Sequence, residues 1–271
     1  MKLAFLGAGN MAGAMIQSIL AAGVLQGDEI LCVNARNPEH GKETAARLGI
    51  TAAEPAALSG ADGVVFAMKP QDFAAAAGMY RQHLKKGQLV LSIMAGISFA
   101  KLQKELGVLP FIRVMPNMGV GVRRGVTGYA VGAGVSQAQA AFAEKLLAAG
   151  GMAIRLQNET EIAKVIGVAG SSPAYFCLML EALAGAAVRD GMEPEAAAAF
   201  ARETFIGTAE ILKAEPELSP EALRARISSK KGTTEAAVEA MRGAGFAPAV
   251  AAGYTRAVQK SDAMTAAFDA E

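Results

Sequence analysis

Cysteine and histidine are nearly missing from this chain, with two of each among 271 residues. Cys32 and Cys177 stand far apart and lack metal-ligand spacing. That excludes a disulfide framework and points to a reducing, cytoplasmic setting. His40 and His83 sit among polar residues and read as surface groups, so neither a zinc site nor a Ser-His-Asp triad is expected, and no metal is assigned. An excess of one charge is also lacking. Lysine and arginine total 26 against 25 acidic residues, a net charge of +1 with both signs scattered. Without a basic stripe, nucleic acid is not an expected partner. The apolar N-terminal stretch runs into a glycine turn after a few residues, which is too short for a signal peptide. One apolar stretch, 171–188, approaches bilayer length. It contains Glu181 and opens on Ser-Ser-Pro, so it reads as a buried helix at a subunit interface and no membrane partner is expected.

The chain is rich in alanine, glycine and branched apolar residues, and 52% of it is hydrophobic. This composition suits a well-buried α/β or helical protein and excludes a disordered one. Its most informative segment is Gly7-Ala8-Gly9-Asn10-Met11-Ala12, which follows the apolar run 3–6 and leads into Met15, Ile16, Ile19 and Leu20. A strand, a glycine turn and a helix start in this order form the phosphate-binding end of a dinucleotide site. Gly7 permits the turn, Gly9 lets the backbone approach a pyrophosphate, and Ala12 lets the helix pack close to the strand.

Strand and helix patterns then alternate. Strands are expected over 3–6, 29–33, 63–67, 89–93, 111–115, 126–131 and 152–156. Helices are expected over 12–22, 38–48, 71–83 and 99–106 (capped by Ser98), with another after the Ser136/Gln139 capping box that ends near Gly150. Continuous apolar strands between helices predict a parallel sheet covered on both faces. Past Gln157 the pattern is helical throughout: 159–168, 172–190 (with Ser172 as cap and Pro173 at its first position), 193–212, a short helix after Ser219-Pro220, 233–242 and 247–268. The expected fold class is therefore α/β, a Rossmann-like, doubly wound, mostly parallel sheet followed by an all-helical dimerisation domain. The boundary falls between 1–157, which carries the glycine turn, and 158–271. The central helices are apolar nearly all round, more than a small helical domain can cover, so burial in an intertwined dimer is expected.

The residues after the second strand, Cys32-Val33-Asn34-Ala35-Arg36-Asn37, contain no carboxylate to hold a ribose 2′-hydroxyl. Arg36 instead offers a charged fork to a 2′-phosphate, and Asn34 and Asn37 can hydrogen-bond the same group. NADPH is the expected cofactor, with NADH a less preferred one.

Four more segments complete the pattern: Ala67-Met68-Lys69-Pro70, Arg113-Val114-Met115-Pro116-Asn117, Ala169-Gly170-Ser171-Ser172-Pro173-Ala174-Tyr175 and Ser228-Ser229-Lys230-Lys231-Gly232-Thr233-Thr234. In this order, behind the glycine turn, they make the chain resemble the pyrroline-5-carboxylate reductases over nearly its whole length. The resemblance implies an enzyme that reduces the C=N bond of 1-pyrroline-5-carboxylate to L-proline with NAD(P)H, the last step of proline biosynthesis. It also implies an interlocked homodimer, often assembled further into decamers, with active sites drawing on both subunits. By position it assigns Gly7, Ala8, Gly9, Asn10 and Met11 to the pyrophosphate, and Asn34, Arg36 and Asn37 to the adenosine ribose end. Met68, Lys69, Pro70, Ala95, Gly96 and Asn117 fall to the rest of the cofactor. The cyclic imino acid is assigned to Glu159, Ser171, Ser172, Gly232, Thr233 and Thr234, with Thr234 as the catalytic residue. Independently, Gly232-Thr233-Thr234 opens a helix whose free N–H groups can hold a carboxylate, and a threonine there can equally serve as the helix cap.

Three places depart from the family's common pattern: Met118-Gly119 after Asn117, Ser172 where glycine is usual, and Lys230-Lys231 where Pro-Gly is usual. They leave open a related imine reductase acting on a six-membered piperideine carboxylate. A nucleotide-binding regulatory homologue without turnover is the second alternative. A β-hydroxyacid dehydrogenase fits less well, since no lysine lies in a convincing catalytic helix context.

Overall fold

In the computed structural model all 271 residues are described. The strands are β1 (Leu3–Leu6), β2 (Ile30–Val33), β3 (Thr51–Ala52), β4 (Gly63–Phe66), β5 (Leu89–Ser92), β6 (Phe111–Pro116), β7 (Gly125–Val131) and β8 (Gly151–Arg155). The helices of the first half are α1 (Asn10–Ala21), α2 (Pro38–Leu48), α3 (Phe73–Arg81), α4 (Phe99–Leu106) and α5 (Gln137–Ala148). Those of the second half are α6 (Glu161–Val165), α7 (Ser172–Arg189), α8 (Pro194–Ala214), α9 (Pro220–Ile227), α10 (Thr233–Gly243) and α11 (Phe246–Ala270).

The strands form one eight-stranded sheet in the order β3-β2-β1-β4-β5-β6-β7-β8. Successive residues of β1 feed opposite faces. Leu3 and Phe5 pack with α1 and α5 residues, while Ala4 and Leu6 pack with Phe73, Tyr80 and Leu102. This two-sided burial explains why the strands read as unbroken apolar runs. All pairs are parallel except β6 with β7. The connection between those two is a short 3-10 segment, Met118–Val122, with no crossover helix to carry the chain back, so the second strand must run antiparallel.

Local boundaries follow the sequence chemistry. Asn37 caps α2 by accepting from the His40 amide, and Gly49 ends it in the left-handed conformation. Ser98 caps α4, and Ser136 with Gln139 forms the capping box of α5. The helix expected over 71–83 is shorter, beginning at Phe73 behind a 3-10 turn, Pro70–Asp72. The two-residue strand β3 is too short to leave a periodic signal and was not expected.

One expectation needs correction. Ser172 does not cap a separate helix. α6 runs into a π-helical segment, Ile166–Gly170, where the Ser171 amide donates to the Ile166 carbonyl at 2.8 Å, and Ser171 keeps helical dihedrals of −93° and −25°. The backbone therefore never adopts the extended conformation a cap requires, and Ser172 is the first residue of α7. The result is a helical run, Glu161–Arg189, long and apolar enough to cross a membrane by length and composition alone.

The chain divides into two compact units, Met1–Ser171 with Arg256–Glu271, and Ser172–Thr255. This is a division by packing. The division at 157 follows a change of secondary structure, since the last strand ends at Arg155. Within the first unit the end of α11 is tied down: Ser98 Oγ donates to Asp269 at 2.6 Å, and Phe268 packs on the face of the sheet that carries Leu102 and Phe73. Within the second unit, α7 and α8 pack together and leave Phe176, Leu178, Leu183, Phe200 and Ile206 exposed.

Candidate active site

The strand order reverses beside β1, which pairs with β2 on one side and β4 on the other. Ligands of open α/β sheets bind outside the carboxyl ends of the strands at such a point. The turn after β1 lies there. Gly7 has φ +107°, and a Cβ on it would stand 2.9 Å from the Ala67 carbonyl oxygen, so only glycine fits between the two strand ends. Ala8 is buried against Cys32 and Ala45. Gly9 and Asn10 are exposed, Met11 is half-buried, and a Cβ on Gly9 would meet nothing within 4 Å. Gly9 is the N-cap of α1, no side chain caps that helix, and no acidic residue occupies its first turn. Free amides at an open helix start form an anion site without further help, so these residues fit a dinucleotide's pyrophosphate.

The loop after β2 carries the next group. Asn34 Oδ1 accepts from the Asn37 amide at 3.1 Å, and Asn37 Oδ1 accepts from the His40 amide. The Ala35 amide donates to the Tyr80 hydroxyl at 3.3 Å, and burial pushes the Tyr80 pKa up, which keeps that hydroxyl protonated. The loop backbone is thus fixed. The Arg36 guanidinium is exposed at its tip and pairs with Asp72. Beneath, burial likewise raises the pKa of Cys32, leaving an unreactive thiol.

After β4, half-buried Met68 packs against the core while Lys69 is exposed beside half-buried Pro70. After β5, Ala95 is half-buried, whereas Gly96 is covered by Met264 and Phe268 of α11. The Asn117 side chain is already engaged. Its Oδ1 accepts from the amides of Gly119 and Val126, and its Nδ2 donates to the Ala169 carbonyl, all at 3.2 Å. Gly119 can make that contact because it has an N–H, which a proline at this position would lack.

Glu159 is engaged as well. Its Oε2 accepts from the Arg113 guanidinium and from the Phe99 amide, both at 2.9 Å. Arg113 is buried, and the pair borders a cavity of about 260 Å³ that Ser98, Asp262 and Asp269 also line. A buried arginine needs a partner, and Glu159 supplies it while also holding the start of α4.

The substrate-end residues divide between the units: Glu159 and half-buried Ser171 lie in the first, and Ser172, Gly232, Thr233 and Thr234 in the second. Gly232 is the N-cap of α10, with no side-chain cap, so neither threonine is spent on capping. Thr233 is exposed and Thr234 half-buried beside an apolar cavity of about 220 Å³ lined by Leu212, Leu223 and Ile227.

Comparison with known proteins identifies the chain. A family profile described as pyrroline-5-carboxylate reductase dimerisation matches residues 159–264, and one described as NADP oxidoreductase, coenzyme F420-dependent, matches residues 2–96. A pyrroline-5-carboxylate reductase of Pseudomonas aeruginosa is 36% identical over 267 residues, covering 96% of this chain and 95% of that one. The chain belongs to the pyrroline-5-carboxylate reductase family. A pyrroline-5-carboxylate reductase structure from Coxiella burnetii superposes with a TM-score of 0.89 at 29% identity, covering 97% of this chain and 98% of that one. The Plasmodium falciparum pyrroline carboxylate reductase, solved with NADP bound, has a TM-score of 0.84 at 22% identity and covers 98% of each chain, sharing the fold.

As a member of this family the chain is an NAD(P)-dependent oxidoreductase, and it carries the family's dimerisation region. The apolar run Glu161–Arg189 falls inside the matched dimerisation region. Sequence reasoning missed the partners Asp72 and Arg113. Arg113 had a readable signal, a charge inside an apolar strand that must be neutralised on burial. Asp72 had none, since its relation to Arg36 spans two loops.

Proposed function

We propose that this protein reduces the C=N bond of 1-pyrroline-5-carboxylate to L-proline with NADPH, the last step of proline biosynthesis, in the cytoplasm. The observation that carries the proposal is the full-length relation to the Pseudomonas reductase at 36% identity. The active form is an interlocked homodimer able to assemble further, as far as a decamer, with sites that draw on both copies. The dimerisation profile and the exposed apolar side chains of α7 and α8 support this.

Residues 1–157 hold the cofactor and 158–271 the substrate and the partner. Gly7 to Met11 present the α1 amides to the pyrophosphate. Arg36, with Asn34 and Asn37, meets the adenosine ribose and its 2′-phosphate, which favours NADPH and tolerates NADH. Met68, Lys69, Pro70, Ala95, Gly96 and Asn117 border the remainder, Asn117 and Gly96 by shaping the wall. When bound, the reduced nicotinamide supplies a hydride. The imine carbon receives it, and the protonated ring nitrogen becomes the secondary amine of proline. The protein's contribution is chiefly positioning, which supplies about 7–11 kcal/mol in favourable systems. The uncapped amides of Thr233 and Thr234 bind the substrate carboxylate, and the Thr234 hydroxyl orients the ring nitrogen. Ser171 and Ser172 border the ring, and Glu159 acts by holding Arg113.

A six-membered piperideine carboxylate is the second reading, left open by the departures at Met118-Gly119, Ser172 and Lys230-Lys231. The test is NADPH oxidation by purified protein with five- and six-membered cyclic imino acids, in the wild type and Thr234→Ala. The five-membered ring should give the higher kcat/KM. Loss of one hydrogen bond to a charged group should lower it about tenfold or more in the variant, with NADPH affinity nearly unchanged. A higher kcat/KM on the six-membered ring would favour the second reading. No turnover on either ring would leave a nucleotide-binding homologue, and an unaffected Thr234→Ala enzyme would remove Thr234 from the site.

A further inference from the structure

Asp72 stands at the N-cap position of α3, where an aspartate ordinarily accepts a hydrogen bond from the first-turn amides. Here it makes no such bond. Its carboxylate turns to the Arg36 guanidinium across the gap between the loops after β2 and β4. Arg36 Nη1 lies against Asp72 Oδ1, and both groups face solvent, with 57% of the Arg36 side chain and 33% of the Asp72 side chain exposed. The contact therefore holds Arg36 at the open surface of the loop. Meanwhile the loop backbone beneath is pinned by Tyr80, Asn34 and Asn37, so Arg36 can exchange partners without the loop moving.

We propose that Asp72 moderates the cofactor preference by competing with the 2′-phosphate for Arg36. This rests on the reading of Arg36 as the phosphate-binding residue and adds a second, opposing residue to it. The physical argument is one of charge. A guanidinium offered to a 2′-phosphate must either leave Asp72 or share its fork between two anions, and the phosphate then faces a carboxylate only a few ångströms away. A ribose 2′-hydroxyl meets neither cost. Asp72 thus weakens NADPH binding and leaves NADH binding untouched. It also neutralises Arg36 when no phosphate is present. An exposed ion pair is weak enough for a doubly charged phosphate to displace, so the effect moderates the preference and does not reverse it.

The test is calorimetric binding of adenosine 2′,5′-bisphosphate and of 5′-AMP to the full-length protein, in wild type, Asp72→Asn, Arg36→Gln and the double variant. Asp72→Asn should bind the 2′,5′-bisphosphate about two- to fivefold more tightly, the range an exposed ion pair allows, with 5′-AMP unchanged. Arg36→Gln should weaken the bisphosphate about tenfold or more. In the Arg36→Gln background the Asp72 substitution should lose most of its effect. Weaker or unchanged bisphosphate binding in Asp72→Asn, beside a large loss in Arg36→Gln, would overturn the role of Asp72 and leave Arg36 intact. Unchanged binding in Arg36→Gln would overturn the underlying phosphate reading and this inference together.

Discussion

Lys231 occupies a left-handed backbone conformation, φ +61°, where the family's common pattern has glycine. A side chain at such a position costs about 1–2 kcal/mol through contact of Cβ with the backbone. The conformation is held from the other side, because the Lys231 amide donates to Glu235 Oε2 at 2.6 Å at the start of α10. The strain sits beside the proposed carboxylate site, where local strain commonly collects. Lys231→Gly should therefore raise unfolding stability. The gain is about 0.5–1 kcal/mol, since glycine's extra freedom in the unfolded chain offsets part of the relief. A urea midpoint at or below the wild-type value would contradict this.

Between elements, Asn117 serves three segments at once: the turn Met118–Val122, the start of β7, and the π-helical segment Ile166–Gly170. Pro173 has no N–H to offer the carbonyl four residues back, Ala169, so the Asn117 amide meets a need that the sequence itself creates. Asn117→Ala would leave two amides and this carbonyl without their partner. The expected loss is about 2–3 kcal/mol, read as a shifted denaturant midpoint at constant slope. A loss under about 0.5 kcal/mol would mean that water replaces the side chain without cost.

For the whole molecule, the question is what covers the second unit. Phe176, Leu178, Leu183, Phe200 and Ile206 are large, apolar and exposed on α7 and α8, and such a cluster marks an association surface. With 66% of its surface exposed, Leu178 is a direct probe. In Leu178→Asp, sedimentation velocity should show a shift to smaller species, and imine reduction should fall in parallel if both copies build each site. A variant that sediments and turns over like the wild type would place the interface elsewhere.

The residues alone determined the glycine turn, the apolar strands, the capped helices and the change to an all-helical second half, because each depends on neighbours within one or two turns of chain. The assembled family motifs likewise named the reaction. What the tertiary structure decided were partnerships between distant residues. Glu159 belongs to Arg113 and Phe99, Asn117 to Ala169, and Arg36 to Asp72, across 46, 60, 52 and 36 positions respectively. The antiparallel turn of β7 and the continuous helix through Ser171 are of the same kind. A hydrogen bond or ion pair forms wherever folding brings the groups together, and separation along the chain leaves no periodic trace of it.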